Sequence, residues 1–441
     1  MARQLFGTDG VRGLAGEFLT AELALALSRA AVARAEVGRP QVLIVRDTRE
    51  SGEMLEAAIA AGVTAAGGDA LIAGVLPTPA APLLLGRHGL DLAAVISASH
   101  NPYQDNGIKL FAADGFKLDD EAEHAIEAEL DKPFANPPRI GRVRRFQGAL
   151  EDYLRELHVR YQGLDLSGRR VLLDCANGAT FRAAPEIFRR LGADVEVMAD
   201  EPDGRNINDG CGSTDLGALR RRIVEGGHDV GFAFDGDGDR LLAVDSSGTV
   251  VDGDELIALA TLHLRAENRL PGNGVAVTVM TNFGFHTAMA EAGVEVATTA
   301  VGDRYVLDEL RRRSWALGGE QSGHIIDLGF GPSGDGISSA LLTLEALGSR
   351  SLSERDAMNK LPQRLVNIRA ADRAALIATM GATAVRGAIE VEEEGLSGRG
   401  RVLVRASGTE PLIRVMVEAP SDDETDAVCG RLVDVVQRTL G

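Results

Sequence analysis

The apolar positions of the chain repeat one pattern three times. QVLIV at 41–45 is followed by a helix-like stretch at 52–66 and then by GGDALIAGV. RVLLD at 170–174 leads to a helix-like stretch at 181–191 and LGADVEVM, and GVAVTV at 274–279 leads to 284–292 and AGVEVATT. Each unit is a β-branched run, an amphipathic stretch, a glycine stop and a second short strand. That order is the βαβ signature of a parallel sheet with helices on its faces.

Each unit then continues into another apolar strand that ends in a polar loop. The three are AAVISASHNP (93–102), VGFAFDGDGDR (230–240) and WALGGEQSGHI (315–325). Open α/β sheets hold ligands at the carboxyl ends of their strands. Three similar domains offering one loop each predict a shared cleft.

The remainder reads differently. RVLVR (401–405) and LIRVMVE (412–418) alternate apolar and polar residues around ASGTEP, which predicts antiparallel strands, with helices at 371–388 and 422–438. DKPFANPPRIGRVRR (131–145), rich in Pro and Arg, reads as the connection between the first two domains. The expected fold is α/β: three similar mixed α/β sheet domains plus a smaller α+β C-terminal domain around a central cleft. The expected boundaries are 1–150, 151–254, 255–365 and 366–441.

Composition narrows the function. At 441 residues the chain exceeds one ordinary core. Lys plus Arg number 46 against 65 Asp plus Glu, a net charge of -19, which disfavours nucleic acid and anionic membrane surfaces. No apolar run reaches the length of a membrane span and the N-terminus lacks an apolar signal core, so a soluble cytoplasmic protein is expected. The three cysteines, Cys175, Cys211 and Cys429, are odd in number and widely spaced, which fits a reducing compartment.

The densest chemistry is DGDGDR. Asp235, Asp237 and Asp239 alternate with Gly236 and Gly238 directly after VGFAF. An extended strand would point all three carboxylates one way, and the glycines also permit a turn that makes them converge. Converging carboxylates repel unless a hard cation, Mg²⁺ above all, sits among them. The bland reading is a solvated acidic turn. An EF-hand fails, because Arg240 stands where that loop needs Gly and Ser246 where it needs Glu.

The other loops are weaker when read singly. In ISASHNP, Ser97 and Ser99 stand at a strand end beside His100, a place where serines more often form turns or caps. No GxSxG surrounds either serine, which argues against a hydrolase elbow. In RASGTEPLIR, Arg405 and Arg414 flank Ser407, Gly408 and Thr409, a set suited to a phosphate dianion. In GGEQSGH, Glu320 and Ser322 suit sugar hydroxyls or an amine, and a plain turn explains them equally well. His324, which follows, reads equally as a core residue. FGTDGVRG brackets Arg12 with glycines, and Lys109 is one of only four lysines.

The order FGTDGVRG, ISASHNPYQDNGIK, DGDGDR, GEQSGH and RASGTEPLIR resembles the α-D-phosphohexomutase superfamily, and within it the bacterial phosphoglucosamine mutases. Gln321 and VGDRYV (301–306) look like the glucosamine branch. The resemblance implies four domains around one cleft and Ser99 as a phosphoserine. It implies that Asp235, Asp237 and Asp239 hold Mg²⁺ with an oxygen on Ser99, and that Glu320 and Ser322 grip the sugar. It assigns the non-reacting phosphate to Arg405, Ser407, Gly408, Thr409 and Arg414. Arg12, His100, Lys109 and Arg240 fall at the reaction centre, with Lys109 and His100 both open as the general base. The implied reaction interconverts glucosamine 6-phosphate and glucosamine 1-phosphate, with glucosamine 1,6-bisphosphate as intermediate and activator, and supplies amino sugar for cell-wall synthesis. The rivals are the same chemistry on glucose or mannose phosphates, a phosphatase, and a non-catalytic phosphosugar-binding protein. The implied partner is a small phosphosugar, with neither nucleic acid nor membrane, and self-association as a homodimer is left open.

Overall fold

The computed structural model describes residues 5–7, 9–35, 37–130, 132–133, 139–406 and 411–440. The chain forms two compact units. One takes in the chain up to Val279 together with Glu295–Arg355, and the other joins Met280–Val294 to the chain from Asp356 onward.

Three sheets lie in the first unit, and they share the order of four core strands. In the first sheet the order is Val11–Leu14, Asp105–Ala112, Leu92–Ile96, Gln41–Arg46, Asp69–Val75, Val143–Arg145. The second runs Val250–Val251, Leu241–Asp245, Val230–Phe234, Arg170–Asp174, Asp194–Met198. The third runs Glu295–Thr299, Gly274–Thr278, Leu317–Gly319, Ile325–Asp327. In each, a central strand has parallel neighbours on both sides, and one neighbour then pairs with an antiparallel return strand. The central strands are buried almost throughout, because parallel strands covered on both faces must be continuously apolar.

Helices fall where the periodicity places them. Gly52–Ala65 and Ala183–Arg190 follow the first two central strands. The equivalent helix of the third repeat, Phe283–Glu291, belongs to the second unit, which divides the residues expected as one domain at 255–365. The tie is polar. Asn282 donates Nδ2–H to the Leu361 carbonyl and accepts from Leu361 N–H, both at 3.0 Å. The buried Glu418 carboxylate accepts from Phe283 N–H at 2.8 Å, and Arg401 donates to the Thr281 carbonyl at 2.6 Å.

The second unit carries a three-stranded antiparallel sheet, in the order Gln363–Arg369, Leu412–Glu418, Arg401–Ala406. The stretch expected as one helix at 371–388 is two, Arg373–Gly381 and Thr383–Leu396, broken at Ala382, whose backbone is extended. Asp422–Leu440 packs Val428, Leu432 and Val436 against Ile413, Val415 and Val417. The connection expected at 131–145 ends in Val143–Arg145, the parallel edge strand of the first sheet. Among the described residues, no single helix is long and apolar enough to cross a membrane.

Candidate active site

The three polar loops leave equivalent places in the three sheets. Each joins the outer parallel strand to its antiparallel return: Leu92–Ile96 to Asp105–Ala112, Val230–Phe234 to Leu241–Asp245, and Leu317–Gly319 to Ile325–Asp327. The repeat read from apolar spacing therefore places the serine, aspartate and glutamate loops at matching positions.

Ser99 is fully buried and has φ +54°, a left-handed conformation that disfavours residues bearing a Cβ. Its hydroxyl donates to Asp235 Oδ2 at 2.5 Å and lies 3.4 Å from His100 Nδ1. The two loops meet because residue 236 is glycine: a Cβ there would stand 2.6 Å from the Ser99 carbonyl oxygen.

DGDGDR is a turn, so the carboxylates converge by bending and not by alternation along an extended strand. Gly238 has φ +72°. One ligand oxygen from each of Asp235, Asp237 and Asp239 lies within 4.8 Å of the others, and all three residues are buried. Lys109 Nζ donates to Asp237 Oδ2 at 2.9 Å and to Asp239 Oδ2 at 3.4 Å. Thr78 Oγ1 donates to Asp237 Oδ2 at 2.6 Å. Among the described residues, Asp237 Oδ1 and Asp239 Oδ1 are buried without a hydrogen-bond partner. Buried carboxylate oxygens with no partner are costly, and a hard cation among them removes that cost. The residues present therefore fit a metal ion.

Burial, with the neighbouring charges of Asp239 and Asp237, pushes the Asp235 carboxyl well above its usual range. Burial works against a charged Lys109, yet Asp237, Asp9 and Asp239 outweigh it and hold the amine firmly protonated. His100 is the opposite case: burial, then Arg240 and Arg12, bring it down to about 4, so its ring is neutral near pH 7. Arg240 N–H donates to Asp235 Oδ1 at 3.2 Å, and Arg12 is paired with Asp9. Both guanidinium Nε atoms are buried without a hydrogen-bond partner among the described residues.

Glu320 is buried, and its Oε1 accepts from Gly302 N–H at 3.0 Å. Ser322 in the same loop is exposed. In the second unit, Arg405 and Arg414 are direct cross-strand partners. Like charges placed opposite one another are destabilising unless an anion lies between them. Burial and Arg414 lower the Arg405 pKa, and Arg414 Nε is buried with no partner among the described residues. Ser407, Gly408 and Thr409 lie outside the described residues.

Sequence reasoning missed a line of charges that reaches the site from the first and third repeats. Lys109 Nζ is 3.1 Å from Asp9 Oδ2, Asp9 also pairs with Lys117, and Lys117 lies 2.5 Å from Asp303 Oδ2. His324, read as equally a core residue, is buried with Nδ1 3.6 Å from Asp239 Oδ1. A signal existed: two of the four lysines in the chain stand in this line.

Family models for phosphoglucomutase/phosphomannomutase match along most of the chain: α/β/α domain I at 3–136, domain II at 151–248, domain III at 252–365 and the C-terminal domain at 365–435. The chain belongs to the phosphoglucomutase/phosphomannomutase family. Its four-domain α/β fold is the fold of that family, with three larger mixed sheets and a smaller α+β C-terminal domain. A phosphoglucosamine mutase of Parafrankia sp. is 48% identical over 470 residues, covering 100% of both chains. That of Desulforudis audaxviator is 49% identical, covering 98% of this chain and 97% of its own. A phosphoglucomutase/phosphomannomutase family protein from Burkholderia thailandensis shares the fold at TM-score 0.82 and 23% identity, covering 98% and 96% of the two chains. So does an Aspergillus fumigatus N-acetylphosphoglucosamine mutase solved with GlcNAc-6P and magnesium, at TM-score 0.70 and 17% identity, covering 99% and 96%.

Proposed function

We propose that this enzyme interconverts glucosamine 6-phosphate and glucosamine 1-phosphate through a phosphorylated Ser99. The carrying observation is the Ser99 hydroxyl, presented on a left-handed backbone and held 2.5 Å from a carboxylate of the buried aspartate cluster. A lone loop serine needs no such partner. The choice of sugar rests on full-length relatives at 48 and 49% identity that are phosphoglucosamine mutases.

Asp235, Asp237 and Asp239 would hold Mg²⁺ together with an oxygen on Ser99, and the ion would neutralise charge on the transferring phosphoryl group. The rest of the chemistry falls to the chain. The Ser99 Oγ–P bond breaks as a bond from phosphorus to O1 of glucosamine 6-phosphate forms. The O1 proton needs an acceptor. His100, whose Nδ1 lies 3.4 Å from Ser99 Oγ, is the acceptor assigned on that proximity. Lys109, Arg12 and Arg240 serve as fixed positive charge around the oxygens in transfer. Glu320 and Ser322 orient the sugar, and Arg405, Ser407, Gly408, Thr409 and Arg414 take the phosphate that is not reacting. The 1,6-bisphosphate turns over, its 6-phosphate returns to Ser99, and glucosamine 1-phosphate leaves. This reading places the enzyme in the cytoplasm, at the supply of amino sugar for cell-wall precursors.

The test is a coupled assay of glucosamine, glucose and mannose phosphates under one set of conditions. The largest kcat/KM is expected with the glucosamine phosphates. A larger value with glucose or mannose phosphate would reassign the enzyme to phosphoglucomutase/phosphomannomutase chemistry.

A further inference from the structure

The Ser99 loop is built around one buried cation. Arg49 lies in the loop that follows the strand Gln41–Arg46, three residues past its end, and its side chain is 0% exposed. A guanidinium has five N–H donors in a rigid fork, and all of them are used. Nε donates to Asp47 Oδ2 at 2.8 Å. One terminal nitrogen donates to the carbonyls of Ser99 and Asn101, both at 2.9 Å. The other donates to the Asp105 carbonyl at 2.9 Å and to that of Pro102. Four carbonyls of the segment 99–105 therefore point inward at a single group. Without a cation they would repel one another, and without them the cation would be stranded.

The same assembly grips Ser99 from its other side. Ser99 N–H donates to Ser97 Oγ at 2.9 Å, and Ser97 Oγ donates to Asp47 Oδ2 at 2.6 Å. Asp47 Oδ1 accepts from Arg49 N–H at 3.0 Å, which closes the circuit. Both backbone polar groups of Ser99 are thus tied to one ion pair. Asn208, from the second repeat, adds Nδ2–H donation to the carbonyls of Ser99 at 3.0 Å and Asn101 at 3.2 Å. Among the described residues, Arg49 bonds to neither the Ser99 hydroxyl nor the aspartate cluster, so it acts through the loop backbone.

We infer that Arg49 is the positioning residue of the phosphoryl-carrying serine. With Asp47 and Ser97 it holds Ser99 in its left-handed conformation and sets where Oγ stands against the aspartate cluster. The inference rests on the proposed role of Ser99. It requires the fork and not merely the charge: a lysine ammonium has three donors from one point and cannot satisfy four carbonyls and Asp47.

The experiment compares Arg49→Lys, Ser97→Ala and Ser99→Ala with the wild-type enzyme. Circular dichroism reports folding, steady-state kinetics separate kcat from KM, and hydrogen exchange is read on the peptide covering 97–107. Misplacing a reacting group by about 1 Å costs on the order of 100-fold. Arg49→Lys should therefore lose about 100-fold in kcat, with KM for glucosamine 6-phosphate little changed and faster exchange confined to 97–107. Ser97→Ala removes a single oxygen and keeps the fold, so it carries the test if Arg49→Lys does not fold. It should lose about 10-fold in kcat, the scale of one hydrogen bond, again without a change in KM. Wild-type kcat in a folded Arg49→Lys, or in Ser97→Ala, overturns the inference, as does a loss that falls on KM alone. Activity in Ser99→Ala would instead overturn the proposed function, so the two failures are told apart.

Discussion

The serine loop and the aspartate loop leave the same place in two copies of one sheet, and they are held in opposite ways. Around Ser99 the loop backbone is tied to protein groups: Arg49 uses every donor, Ser97 and Asp47 close the circuit, and Asn208 adds two bonds. The carboxylates of Asp237 and Asp239 are less fully tied: among the described residues, one buried oxygen of each has no hydrogen-bond partner. A loop that must present one atom in one position is satisfied internally. A loop that must receive a ligand is left short of partners. In the second unit Arg414, placed across the sheet from Arg405, shows the same shortage with the opposite charge, its Nε having no partner among the described residues.

That contrast breaks most visibly at the aspartate cluster. Asp237→Asn keeps the shape of the side chain and removes its charge. Turnover should fall by at least about 100-fold, since charge stabilisation carries most of phosphoryl transfer. Chelation by EDTA should inactivate the wild-type enzyme, and added Mg²⁺ should restore it. Indifference to both would make DGDGDR an acidic turn that the protein stabilises by itself.

A smaller effect is expected at the anion side. Arg414→Ala removes one fork of the pair and should cost about 2–3 kcal/mol in kcat/KM, the scale of a charged hydrogen bond. The loss should be similar from glucosamine 6-phosphate and from glucosamine 1-phosphate, because in the proposed mechanism one clamp serves both orientations. Arg414→Lys should restore only part of it. Kinetics in both directions decide the matter, and a loss in one direction only would remove the single clamp from the account.

The architecture was legible where burial writes itself into the sequence. QVLIV, RVLLD and GVAVTV are apolar along their whole length because both faces of those strands are covered, and their spacing exposed the threefold repeat. The strand Gln363–Arg369 was not legible: it lies at the sheet edge with most residues at least partly exposed, so QRLVNIR carries little apolar signal. The transfer of Phe283–Glu291 to the second unit depends on Asn282 and Glu418, residues 136 apart in sequence whose contact no local pattern encodes.

The site divides in the same way. Asp235, Asp237 and Asp239 were visible because their chemistry is packed into five consecutive residues. Arg49 was invisible, since arginine is ordinarily a surface residue and nothing beside it in RDTRE marks it as buried. Asp9, Lys117 and Asp303 are ordinary charged residues until the fold places them in one line.

The central claim is that Ser99 carries the phosphoryl group and passes it to the sugar. Phosphoenzyme labelled on phosphorus, mapped by mass spectrometry and mixed with glucosamine 6-phosphate in a single turnover, tests it directly. The label should lie on Ser99 at the start and pass to glucosamine 1,6-bisphosphate at a rate no slower than kcat, with no comparable release of inorganic phosphate. Label on another residue, or label that leaves Ser99 only as inorganic phosphate, would contradict the account.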